Sequence, residues 1–242
     1  PGSVVLLGGE PGIGKSTIVL QSAGKISLKK KVLYVTAEES LEQVKIRWER
    51  LNQNSIDLKI FAETNLSLII EEIKRVNPSF AIIDSIQAIH THEMESSQGS
   101  VSQVRACSSE LQNLAKENNI ALLIIGHVTK DGALAGPKTL EHLVDVVINF
   151  EGDNISSNRL LRSIKNRFGS TFEIGIFEMI EEGIREIQNP SSIFTNKENI
   201  SGVTTTITKE GTRPFAVDIQ ALVNKTFYNN PRRTTTGISI NR

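Results

Sequence analysis

A chain of 242 residues, 38% hydrophobic and 22% charged, is long enough for one large globular domain, or for one domain and part of a second. Its 27 Lys and Arg balance 27 Asp and Glu, so the totals show no general polyanion-binding surface. Cys107 is the only cysteine, which excludes an intramolecular disulfide and a thiolate metal cluster, and no apolar run or leader pattern predicts a membrane span or a signal peptide.

The first element is the apolar run of residues 4–7, read as a buried strand. It leads into Gly9-Glu10-Pro11-Gly12-Ile13-Gly14-Lys15-Ser16, and Thr17-Ile18-Val19-Leu20 carries a helix on to about residue 26. The octapeptide reads G-x-x-x-x-G-K-S, and a strand, a glycine-rich turn and a helix start are the context a phosphate-binding loop requires. Glycines let backbone N–H groups close around phosphate oxygens where a side chain would obstruct them. The helix N-terminus adds partial positive charge. Residues Gly9 to Thr17 are therefore the expected cradle for ATP, with Lys15 reaching the β- and γ-phosphates and the Ser16 hydroxyl ligating Mg2+.

A second strand is predicted over residues 31–35. Residues 41–51 carry Leu41, Val44, Trp48 and Leu51 at helical spacing, and residues 58–61 read as a short strand. Leu66, Ile69, Ile70 and Ile73 share one face of a helix that Asn77-Pro78 stops. Residues 80–84 form a buried strand ending in Asp84, a polar stretch covers about 85–100, residues 101–118 are helical by pattern, and residues 120–125 form a fifth buried strand. The alternation argues an α/β fold with a mainly parallel sheet and helices on both faces. After Leu143 the rhythm changes. Residues 144–150, 160–165, 172–177 and 183–187 are strand-like with turns between, which reads as an antiparallel extension of the sheet. Residues 189–192 and 195–202 look like a linker, with further strands at 203–207 and 215–223. The chain opens on Pro1 rather than Met, which reads as a piece of a longer protein.

Four more places carry chemistry. Asp84, at the carboxyl end of its strand, is the expected second contact to Mg2+ beside Ser16. Thr36-Ala37-Glu38-Glu39 follows the second strand; a carboxylate there can polarise an attacking water, and local pattern does not separate Glu38 from Glu39. His127 ends the fifth strand, either as a structural residue or as a sensor of the γ-phosphate. In Lys165-Asn166-Arg167-Phe168-Gly169 the two cations read either as solvated charges or as groups acting on a neighbouring subunit's phosphates. His90, His92 and His142 have no ligand spacing, so no zinc site is expected.

Taken together, these segments resemble the bacterial RadA/Sms branch of the RecA-like P-loop ATPases. The resemblance rests on Pro1-Gly2-Ser3, the phosphate loop, Tyr34-Val35-Thr36-Ala37-Glu38-Glu39-Ser40 and Ile82-Ile83-Asp84-Ser85-Ile86-Gln87. It continues through Gly126-His127-Val128-Thr129-Lys130-Asp131-Gly132, Leu140-Glu141-His142-Leu143-Val144-Asp145 and, most specifically, Lys165 to Gly169. It implies a RecA-like ATPase domain over residues 1–190, then a linker and the start of a Lon-protease-like domain over 191–242. It further implies a DNA-dependent ATPase of recombinational repair. Such an enzyme drives branch migration on single-stranded or branched DNA, works with the RecA recombinase, and assembles as a homo-oligomeric, hexameric ring in a bacterial cytoplasm or an organelle. Glu38 falls at the catalytic glutamate, His127 at the sensor, and Lys165 and Arg167 at the motif that completes a neighbour's site. Residues 87–103 and 129–138 fall where such proteins carry DNA-channel loops, with Lys130, Lys138 and Arg105 as candidate phosphate contacts. The family's four-cysteine zinc module has no counterpart in this sequence, and Thr36-Ala37 stands where Ser-Gly is usual. The alternative is a KaiC-like or scaffold ATPase that binds partners without motor activity.

Overall fold

The computed structural model describes residues 1–127, 140–152, 157–196, 200–210, 212–225, 227 and 232–238. The strands are β1 (Val4–Gly9), β2 (Val32–Thr36), β3 (Leu58–Ala62), β4 (Phe80–Asp84), β5 (Ala121–His127), β6 (Val146–Glu151), β7 (Asn158–Asn166), β8 (Ile174–Ile180) and β9 (Gly183–Glu186). Between them lie α1 (Lys15–Ser27), α2 (Leu41–Leu51), α3 (Leu66–Val76) and α4 (Val101–Glu117). These strands form one sheet in the order β3-β2-β4-β5-β1-β6-β7-β8-β9. Pairing is parallel from β3 across to β6 and antiparallel from β6 to β9, so the expected mixed sheet with an antiparallel extension is present.

The parallel strands form because they are continuous apolar runs that both faces can bury. All five residues of β2 are buried. Successive side chains alternate between two cores. Leu33 and Val35 join Leu66, Ile69 and Ile73 of α3 and Val104, Cys107 and Leu111 of α4 on one face. Val32 and Tyr34 join Val19, Leu20 and Ala23 of α1 and Val44 and Leu51 of α2 on the other. Side-chain caps start three helices: Ser40 with Gln43 as a capping box on α2, Asn65 on α3 and Ser100 on α4. Among the described residues no helix is long and apolar enough to cross a membrane.

Several boundaries move from the sequence expectation. The third strand of the extension starts at Ile174 rather than 172 and runs on to Ile180, because its partners in β7 and β9 extend that far. Within the polar stretch after Asp84, residues Ile86–Ala88 make a turn of 3-10 helix. The supposed linker contains a short helix, Ser191–Phe194, which Pro190 can start because its fixed φ of −60° suits a first turn.

The chain divides into two compact units, residues 1–188 with 209–213 and residues 189–208 with 214–242. Residues 203–208 of β10 (Val203–Glu210), which pairs with β11 (Arg213–Gln220), and residues 214–220 of β11 lie in the second. There Asp218 accepts from the Thr205 hydroxyl and the Asn196 N–H, and the Phe194 and Phe215 rings lie 5.5 Å apart.

Candidate functional site

Strand register brings the carboxyl ends together, the usual place for a ligand site in an open α/β sheet. Gly9 is level with His127, and Thr36 is level with Asp84. The loop between β1 and α1 needs its glycines. A Cβ on Gly9 would lie 2.6 Å from the Phe150 carbonyl, and Gly14, at φ 108°, is left-handed at the N-cap. Ile13 is buried and anchors the loop in the α1/α2 core, while Pro11 and Gly12 are exposed and Glu10 is half-buried. Arg159 of β7, which local pattern did not single out, donates from Nε to the Ile13 carbonyl at 3.1 Å.

Lys15 is 3% exposed and donates from Nζ to the Gly9 carbonyl at 2.9 Å and the Glu10 carbonyl at 2.8 Å. Burial lowers its ammonium to about 8, with Asp84 and Glu38 pulling it back up. Unlike α2, α3 and α4, α1 has no side-chain cap on its first N–H groups. A buried ammonium, uncapped helix N–H groups and a glycine turn fit a nucleotide's phosphates.

Asp84 ends β4 at 5% exposure. The Tyr34 hydroxyl donates to its Oδ2. Burial raises the Asp84 carboxyl, and the nearby Tyr34 and Ser16 hydroxyls oppose the rise. The Ser16 hydroxyl and the Asp84 carboxylate make an all-oxygen donor pair of the kind that suits Mg2+. Local pattern does not mark Tyr34 as a site residue, although a tyrosine in an otherwise apolar buried strand signals a needed partner for its hydroxyl.

The two adjacent glutamates part company. Glu38 accepts from the Ser85 hydroxyl, and His127 Nε2 lies 2.9 Å from the same oxygen, Oε1. The His127 bond holds the Glu38 carboxyl below its ordinary value, assisted by Ser85 and Lys15 and opposed by partial burial. Glu39 is instead gripped at both oxygens by Arg47 of α2, each bond 2.5 Å, and its backbone bonds to the Thr36 hydroxyl. Glu38 therefore faces the phosphate loop and Glu39 is committed to α2.

Lys165 and Arg167 are not brought into this cluster. They lie at the end of β7 that pairs with the start of β6, and so beside the start of β1 rather than its end. Lys165 is level with Val147 and through it with Leu6, three residues or about 10 Å short of Gly9 along the strand, and Arg167 lies two residues further from the loop. Lys165 Nζ donates to the Glu141 and Val144 carbonyls, and Arg167 pairs with Asp145 at 2.9 Å. Phe168, between Arg167 and Gly169, is 70% exposed. Arg105 is exposed on α4, whereas Lys130 and Lys138 lie outside the described residues.

With a phosphate loop after β1, an acid ending β4 and a glutamate just past the end of β2, the AAA domain family matches residues 1–133. The chain belongs to the AAA domain family. It is similar over 100% of its length to proteins named DNA repair protein RadA: 52% identical to that of Streptococcus pneumoniae, covering 58% of it, and 50% identical to that of Synechocystis, covering 52%. It thus spans about half the length of the relatives it matches. Among solved structures, a KaiC-like protein from Pyrococcus horikoshii is 20% identical with a TM-score of 0.61, covering 77% of this chain and 89% of that one. A structure described as an ATPase domain is 15% identical with a TM-score of 0.63, covering 74% of this chain and 82% of that one. Both likenesses concern the fold, a RecA-like and KaiC-like ATPase sheet within which this AAA domain is built.

Proposed function

We propose that this chain is the ATPase core of a DNA-dependent motor of recombinational repair. It hydrolyses ATP with Mg2+ at interfaces between copies of itself, translocates on single-stranded or branched DNA, and drives branch migration with the RecA recombinase. It works as a hexameric ring, in a bacterial cytoplasm or an organelle. The observation that carries the ATPase reading is the convergence of Lys15, Ser16, Asp84, Glu38 and His127 at one set of strand ends. Lys15 and the loop N–H groups bind phosphate, Ser16 and Asp84 hold the cation, and Glu38 orients the attacking water. Mg2+, when bound, neutralises charge on the phosphate oxygens.

The distance of Lys165 and Arg167 from their own loop supports a role on the loop of an adjacent copy. The repair reading leans on the names of the relatives, whose similarity runs through the whole chain. ATP hydrolysis by the full chain, with and without single-stranded DNA and over a series of salt concentrations, tests it beside the oligomer mass. Stimulation that fades as salt rises is expected, because phosphate contacts release counterions. A flat response to DNA in an assembled oligomer overturns the motor reading.

A further inference from the structure

We infer that Tyr34 is a positioning residue for the site's divalent cation: its hydroxyl fixes Asp84 in the orientation in which that carboxylate and Ser16 hold Mg2+. The inference rests on the nucleotide reading above. Tyr34 stands on β2 directly beside β4, two residues before Thr36, which is level with Asp84. Its ring has no exposed surface and packs in the cluster that contains Leu20, Val44, Ile82 and Ile125. A ring so enclosed is a fixed donor, and its one polar side-chain atom is directed at Asp84 Oδ2.

A fixed donor is needed because of what surrounds the acid. Lys15 and Asp84 attract each other across the site. Direct pairing of the two would take the ammonium from the phosphates and the carboxylate from the cation. The structure shows neither group so used: Lys15 donates to the Gly9 and Glu10 carbonyls, while Asp84 accepts from Tyr34. With Oδ2 held by Tyr34, the carboxylate cannot swing toward Lys15 without giving up a buried hydrogen bond. Partners of metal ligands act in this way, by fixing the ligand's orientation before the metal arrives.

Tyr34→Phe removes one oxygen and keeps the ring. ATP binding to the full chain, measured by calorimetry in excess EDTA and in Mg2+, separates the roles. The metal-free affinity should be unchanged, which also reports a folded site, while the gain in affinity from Mg2+ falls about tenfold, the low end for such partners. The Mg2+ concentration giving half-maximal hydrolysis should rise with it. In an Asp84→Asn background, Tyr34→Phe should cost nothing further, because it acts through that carboxylate. An equal Mg2+ gain in both proteins, or an undiminished effect in the Asp84→Asn background, overturns the inference alone. An unsubstituted chain that binds ATP in neither condition overturns the nucleotide reading, and this inference with it.

Discussion

His127 Nε2 and Glu38 Oε1 lie 2.9 Å apart, joining the end of β5 to the loop after β2. That bond is the largest cause of the low Glu38 carboxyl, so removing it raises the carboxyl toward its ordinary value. His127→Ala should therefore move the acid limb of ATP hydrolysis to higher pH. The profile of kcat against pH checks it; an unmoved limb would mean that Glu38 is not the group titrating there.

The parting of the two glutamates gives a second expectation. Glu38→Gln should lower kcat by about two to four orders of magnitude while ATP still binds, as loss of a general base does. Glu39→Gln should leave most hydrolysis in place, because its carboxylate is bound to Arg47 rather than aimed at the loop. Single-turnover hydrolysis with each variant decides between them, and the reverse ranking would reassign the base.

Lys15 predicts a pH dependence of binding. Its ammonium, lowered to about 8 by burial, is charged below that pH and neutral above it. ATP affinity should fall as pH rises through about 8, and binding near that pH should take up protons as the phosphates pull the charge back. Calorimetry in two buffers of different ionisation enthalpy measures the uptake. The same group sets a stability trend: between its folded value and the unfolded 10.5 the unfolded chain binds the extra proton, so this burial penalty is relieved as pH rises through that window. Lys15→Ala should abolish tight ATP binding.

Arg167→Ala should leave ATP binding in place and reduce hydrolysis by the oligomer. Mixing it with Glu38→Gln subunits rebuilds one intact interface wherever an unaltered Glu38 faces an unaltered Arg167. Recovered turnover in the mixture is expected; none at any ratio removes the case for action across subunits. The Arg167–Asp145 pair will also be lost within the chain, where Asp145 additionally accepts from the Val4 N–H, so melting should be recorded beside the rates.

Gln103 offers a test of stability. It is 2% exposed; its oxygen accepts from the Thr91 N–H, and its amide donates to the Thr91, Met94 and Ser96 carbonyls. Gln103→Ala strands these groups, at a cost of about 2 kcal/mol for buried partners left unmade. Urea unfolding of the variant checks the figure, and hydrogen exchange should quicken first at the Thr91 amide.

By itself the sequence determined what short-range rules control. The phosphate loop, the strand–helix alternation and the turn to antiparallel strands after Leu143 are written in glycine placement, apolar runs and periodicity, all set within a few residues of backbone. The structure decided what depends on which strand lies beside which. Glu38 and Glu39 share one local pattern, and only the placement of β5 and α2 around them gives one His127 and the other Arg47. Tyr34 and Asp84 are 50 positions apart in sequence, and the pairing of β2 with β4 is what puts a hydroxyl on that carboxylate. The same holds for Lys165 and Arg167: their residue types suggested phosphate, but the register of β6 and β7 set them beside the start of β1 rather than at the end that enters the loop of their own chain.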